Sequence, residues 1–210
     1  MTQKAQMWSN SINSVFIGVL LYSIAGAIYP IFSFFKSFTK LASALQGKVD
    51  TTPIAIITYL LLAAIIFGYY LYLKGLTDFE KVTEPADSKN VKSLRTATIL
   101  VLIGWGLVFL FGFVPFAGWV GKWIGGILNI VAYILMLLAF SGLKTSSTFP
   151  TVARAGAGML FVAMILLLCA AVLNWIPFIG GILNIIISVV AFIMVIMGWL
   201  KIKSASAEVA

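Results

Sequence analysis

Six long apolar stretches, separated by shorter polar ones, dominate the chain. Each stretch has 18 to 22 residues and contains no charged side chain. A helix that crosses a bilayer needs about 20 mainly apolar residues. Barrel strands would instead alternate apolar and polar positions over about 10 residues. We therefore predict an all-α membrane protein with six transmembrane helices, at residues 12–29, 54–73, 97–114, 123–143, 155–175 and 179–200.

The first apolar stretch admits a second interpretation. Lys4, the apolar run and the small residues Ala25, Gly26 and Ala27 together resemble a cleavable signal peptide. We predict a retained helix, because the repeat described next needs this span as a partner.

An internal repeat is the strongest signal in the chain. Residues 124–130 recur as residues 179–185, at a constant offset of 55. A proline precedes each copy, and each copy contains two adjacent glycines and an asparagine. Proline ends a helix and glycine permits a tight turn, so each repeat is predicted to form a helical hairpin. The predicted turn and packing positions are Pro115, Pro177, Gly125, Gly126, Gly180 and Gly181.

A two-span unit keeps its orientation when it is duplicated, which predicts tandem hairpins that are parallel repeats. Three hairpins then occupy residues 1–76, 97–144 and 155–203, followed by a tail at 204–210. A charged, solvated linker is predicted at 77–96, with a helix from Ser88 into the third span left open, and a short polar linker is predicted at 145–154. The block around Pro30 resembles the later proline blocks only faintly. Whether the first hairpin is a third copy of the repeat therefore stays open.

Residues 31–46 combine apolar side chains at helical spacing with interleaved lysines. This pattern favours an amphipathic helix that lies in the outer membrane interface. The alternative is a first span that continues past Pro30 to Phe35.

The basic residues predict the orientation of the chain. Ten of the 14 Lys and Arg residues fall on the side of the N-terminus and four on the other side. Cytoplasmic loops carry the excess of basic residues, so both termini are predicted to be cytoplasmic. We expect a multi-pass protein of the cell (plasma or inner) membrane. The net charge of +8 then favours contact with anionic lipid headgroups rather than nucleic acid.

Composition excludes several chemistries. The chain has no histidine and a single cysteine, Cys169, so neither a histidine proton shuttle nor a disulfide is available. All six acidic residues lie outside the apolar stretches, which disfavours proton relays and ion-coupled transport. No nucleotide-binding or metalloprotease motif is present. We predict no cofactor, no metal, no buried charge and no enzymatic activity.

A few polar residues inside the spans are candidates for a site. Small residues and occasional hydrogen bonds hold membrane helices together. The small residues of the fifth span, among them Gly156, and those of the sixth span, among them Gly198, predict that these two faces meet. Asn184 is expected to bond to a neighbouring helix. The candidate polar and packing positions are Asn129, Asn174, Asn184 and Ser188.

Two functions fit these patterns. The first is a non-catalytic scaffold, accessory subunit or assembly factor, which contacts another membrane protein or a second copy through its helices. The second is a channel or uncoupled transporter for neutral or apolar solutes, whose lining would use the asparagines. The sequence favours the first, because the spans carry few polar side chains.

Overall fold

The computed structural model describes residues 2–46, 52–112, 118–173 and 179–209. Within these ranges the chain is helical and contains no strand. Six α-helices follow one another along the chain, and a short 3-10 helix, Ala205–Ala207, comes after the last. Their bounds are α1 Gln3–Gln46, α2 Thr52–Val82, α3 Pro85–Gly112, α4 Gly118–Thr145, α5 Thr151–Leu173 and α6 Ile179–Ser204.

All six helices are long and apolar enough to cross a membrane. The predicted helical class and the predicted number of spans are therefore confirmed. Several helices exceed their predicted spans. The 31 residues of α2 extend about 46 Å at about 1.5 Å per residue, against a hydrocarbon layer of about 30 Å. The additional turns carry Asp78, Glu80 and Lys81, side chains that belong in water.

The first helix differs from the preferred prediction. A span at 12–29 and a separate amphipathic segment at 31–46 were expected, but α1 is one helix of 44 residues that includes Pro30. Proline removes one backbone hydrogen bond, to the carbonyl of Gly26 four residues earlier. Helices in membranes tolerate this loss when local adjustment compensates for it. A Cβ placed on Gly26 would meet nothing within 4 Å, so no neighbouring side chain crowds the helix on that side.

The segment 77–96 is more helical than the predicted solvated linker, in which a helix was left open only from Ser88 onwards. It is helical except at Thr83 and Glu84, where α2 ends and α3 begins. Pro85 occupies the first helical position of α3, where a missing N–H is tolerated. Apolar side chains at helical spacing are buried on both sides of this break, at Leu76, Phe79, Val82, Val91 and Leu94. Their burial explains why the helices extend through a charged sequence.

The described chain forms two compact units. Unit 1 comprises Met1–Asn13 and Gly75–Ala210, and unit 2 comprises Ser14–Lys74. In unit 1, α4 packs on both α3 and α5, and α5 packs on α6. The largest fully buried side chains of unit 1 include Trp8, Trp199, Phe79 and Phe149. We call the region around Trp8, Phe79 and Phe149, with the ionic side chains beside it, the charged end of unit 1.

Candidate functional site

Two glycines bring α3 and α4 into backbone contact. A Cβ placed on Gly125 would lie 2.8 Å from the carbonyl oxygen of Gly104, and one on Gly104 would lie 3.1 Å from the carbonyl oxygen of Gly125. One turn earlier on α4, a Cβ on Gly121 would lie 2.6 Å from the Cβ of Phe111. Only residues without a side chain permit this approach, as is usual between membrane helices. The predicted packing position Gly125 thus lies at a helix contact.

The neighbouring glycine provides a matched control. A Cβ on Gly126 meets nothing within 4 Å, although Gly125 is adjacent in sequence. We expect Gly125→Ala to lower the free energy of unfolding by about 1–3 kcal/mol, because the new methyl group overpacks against backbone. Gly126→Ala should be neutral or stabilise by up to about 1 kcal/mol through helix propensity. Circular dichroism of the purified variants during SDS-induced unfolding measures both changes, and equal destabilisation by the two would contradict the contact.

A second glycine pair joins α5 and α6. A Cβ on Gly156 would lie 2.5 Å from the carbonyl oxygen of Gly198, and one on Gly198 would lie 3.0 Å from that of Gly156. Small side chains on the same two helices are buried, at Ala163, Ala170 and Ala191. The small-residue faces of the fifth and sixth spans therefore meet along at least part of their length, as the sequence predicted.

Unit 2 contains a third close approach, which the sequence analysis missed. A Cβ on Gly18 would lie 2.6 Å from the carbonyl oxygen of Gly68, and one on Gly68 would lie 2.9 Å from that of Gly18. Beside this contact the rings of Tyr22 and Tyr69 stack, with centroids 4.5 Å apart and planes 6° apart. In every one of the three sequential helix pairs, two glycines thus face each other.

The candidate asparagines do not come together among the described residues. Asn129 is half-buried on α4, and its Oδ1 lies 3.6 Å from the position that a Cβ on Gly104 would occupy, so it faces α3. Asn184 accepts a hydrogen bond from Ser188 Oγ, one turn along its own helix, at 3.1 Å. The bond expected from Asn184 to a neighbouring helix is not seen within the described part of the chain.

Other predicted positions lie partly or wholly beyond what the structure describes. Asn174, Pro115 and Pro177 are outside the described residues. Gly180 and Gly181 fall in the first turn of α6, and their surroundings are likewise outside the described part.

An aromatic cluster holds the charged end of unit 1 together. The ring of Trp8 meets the ring of Phe79 edge-on at 4.6 Å and that of Phe149 at 5.7 Å. Its indole N–H donates a 2.8 Å hydrogen bond to the carbonyl of Ile202. Trp8 therefore connects the start of α1 to the end of α2, to the segment between α4 and α5, and to the end of α6. Nothing in the hydrophobic pattern singled it out, because it lies before the first predicted span.

Ionic contacts surround this cluster. Lys4 Nζ lies 2.9 Å from Glu84 Oε1, and Arg95 lies 2.8 Å from Glu80 Oε2. Lys203 donates a 2.9 Å hydrogen bond to Asn13, which joins the end of α6 to α1. Exposed pairs such as Lys4 with Glu84 contribute little to stability in water, so the aromatic cluster carries most of the packing energy here.

A cavity of about 220 Å³ opens beside the cluster. Trp8 and Phe149 line it together with Asp87, which is only 1% exposed. Asp87 Oδ2 accepts a 2.8 Å hydrogen bond from Thr148 Oγ1. Its Oδ1 is buried and has no hydrogen-bond partner within the described chain. The prediction that no charge is buried is therefore wrong at Asp87, where the first turn of α3 and the Thr148 hydroxyl stabilise a carboxylate.

The described residues contain no group of three or more histidine, cysteine or acidic side chains that could hold a metal ion. What they offer is helix contact through backbone and small polar cavities, of which the one beside Trp8 contains the buried Asp87. Comparison with protein-family profiles, with curated proteins and with solved structures finds no match to this chain.

Proposed function

We propose that this multi-pass membrane protein is non-catalytic and acts as a scaffold, accessory subunit or assembly factor through helix contacts. The observation that carries the proposal is that buried hydroxyl groups in the described spans form hydrogen bonds within their own helices. Ser11, Thr58 and Thr98 are buried, and each hydroxyl donates to a carbonyl of its own helix, at 2.7 to 2.9 Å. Their O–H donors are satisfied within their own helices, so these hydroxyl groups have no free donor for a solute.

The outer surfaces of the helices support the same function. On α2, the side chains of Tyr59, Leu60 and Ile66 are 62–64% exposed. Comparably exposed apolar side chains recur on α4 and α6, at Leu138 and Ile185. Faces of this kind contact lipid or the apolar side of another membrane helix, where close packing rather than charge holds the partner.

The proposal includes the arrangement of the helices as hairpins and their orientation in the membrane. Three tandem hairpins would place both termini on the cytoplasmic side of the cell membrane, which agrees with the distribution of lysine and arginine. Two facing glycines within each of the three sequential helix pairs support a helical hairpin as the packing unit.

Site-specific photocrosslinking in native membranes tests the proposal. A photoreactive phenylalanine analogue replaces Leu60, Leu138 or Ile185 in turn, each a highly exposed apolar position on a different helix. We expect a discrete heavier product from at least one of these positions and none from the others, because a partner covers one face. Two differently tagged copies of the chain in the same cells show whether the partner is a second copy.

Two results would count against the proposal. Lipid adducts alone at all three positions would contradict a helix-contact function. If vesicles containing the purified protein then took up a neutral solute such as glycerol faster than empty vesicles, the channel would replace the scaffold as the function.

A further inference from the structure

We propose that the cavity at the charged end binds a protonated primary amine through the carboxylate of Asp87. This site is independent of the helix contacts in the proposed function. It would give the protein a small-molecule ligand at the end where its helices carry most of their charges.

The ionic groups around the cavity are mostly acidic. Lys4 and three carboxylates line it, those of Glu84, Asp87 and Glu208. Lys4 is paired with Glu84 at 2.9 Å, and Glu208 accepts the Val152 backbone N–H at 3.2 Å. The cavity thus has an excess of negative charge in a chain whose net charge is +8. Such a local excess attracts a cation.

Asp87 is the lining carboxylate with one oxygen left unbonded. It is 1% exposed; Oδ2 accepts a hydrogen bond from Thr148 Oγ1, whereas Oδ1 has no donor among the described residues. A buried oxygen without a donor is costly, more so when it carries charge. An ammonium group in the cavity supplies the N–H donors that Oδ1 lacks. The ammonium of Lys4 does not fill this role, because it pairs with Glu84 and its side chain is 49% exposed.

The lining favours an organic cation over a metal ion. Trp8 and Phe149 contribute aromatic rings to the wall, and aromatic faces attract ammonium groups and contact the carbon atoms attached to them. Calcium would need six to eight oxygen ligands in place of these rings. The volume of about 220 Å³ lies below that of drug-sized pockets, so the ligand has few heavy atoms.

Two sources could supply the ammonium group. One is a small amine dissolved in the aqueous phase, and the other is the headgroup of an aminophospholipid. The same carboxylate and rings would recognise both, since the protonated amine is common to them.

Titration calorimetry on the full chain tests the site. The protein is reconstituted in nanodiscs of phosphatidylglycerol and titrated with n-butylammonium, with n-butanol as the uncharged control. We expect saturable binding of the amine that Asp87→Asn weakens about tenfold or more, because the charge-assisted bond is lost. Asp78→Asn is the matched control. It removes the same charge from a half-exposed residue that pairs with Lys81 and does not line the cavity.

A second variant keeps the test decisive if Asp87→Asn fails to fold. Lys4→Gln removes the positive charge of an exposed cavity residue and releases Glu84, so amine binding should tighten. Weaker amine binding in Lys4→Gln would overturn the proposal. It would also be overturned if butanol bound as tightly as the amine, if Asp87→Asn behaved like Asp78→Asn, or if the wild-type protein showed no saturable binding.

Phosphatidylethanolamine in the nanodisc distinguishes the two sources. If the lipid headgroup occupies the site, the apparent affinity for n-butylammonium falls as this lipid is added. If the affinity does not change, the natural ligand is a soluble amine.

Discussion

Trp8→Ala is expected to lower the free energy of unfolding by about 3–5 kcal/mol, the range for deleting a buried aromatic side chain. Trp8 is 2% exposed and contacts the rings of Phe79 and Phe149. Alanine would leave a void among three segments that are distant in sequence, and the carbonyl of Ile202 would lose its 2.8 Å donor. SDS-induced unfolding of the purified protein, followed by circular dichroism, measures the change.

Two variants separate the causes of this loss. Trp8→Phe keeps a ring but removes the N–H donor, so it should cost about 0.5–1.5 kcal/mol, the usual net contribution of one hydrogen bond. Trp105→Ala is the matched control, because Trp105 is 63% exposed and its removal should change stability by less than about 0.5 kcal/mol. Similar losses from Trp8→Ala and Trp105→Ala would show that Trp8 does not hold the charged end together.

Several of the largest fully buried side chains of unit 1 lie at its charged end, among them Trp8. Within the hydrocarbon layer lipid tails are as apolar as leucine, so burying leucine there gains little. Where the helices leave the lipid, water is again the alternative and burial of apolar area is favourable. The fully buried side chains of Leu76, Phe79, Leu94 and Phe149 follow this rule.

The spans were predictable, and the ends of the helices were not. Length and the absence of charge identified six spans correctly. The segment around Asp87 looked like a solvated linker, because acids and bases alternate there. Its apolar residues at 76, 79 and 82, and at 91 and 94, already had helical spacing. Charge density concealed that periodicity, and with it the burial of Asp87.

The glycine contacts were predictable only in part. A pair of adjacent glycines such as Gly125 and Gly126 points in directions about 100° apart on a helix, given 3.6 residues per turn. Which of the two meets α3 depends on the rotation of α4 about its axis, and packing sets that rotation. The contact between Gly18 and Gly68 was not predicted, because neither glycine lies in a repeated motif.

Gly156→Ala should lower the free energy of unfolding by about 1–3 kcal/mol or more, the usual cost of overpacking. A Cβ there would lie 2.5 Å from the carbonyl oxygen of Gly198 and 2.8 Å from Ile202 Cγ1. The first of these atoms is backbone and cannot rotate away, so α5 and α6 would have to separate.

Gly158→Ala is the control on the same helix, because its Cβ would meet only the Lys144 side chain, at 3.7 Å from Cδ and 3.9 Å from Cγ, which are ordinary contacts. This variant should be neutral or slightly more stable, since alanine favours helix by up to about 1 kcal/mol. Unfolding in SDS compares the two variants directly. If Gly156→Ala were as stable as Gly158→Ala, the backbone contact would not be what holds α5 against α6. The helix-contact function would then lose one of its structural supports, because a scaffold whose own helices are loosely packed presents no fixed face to a partner.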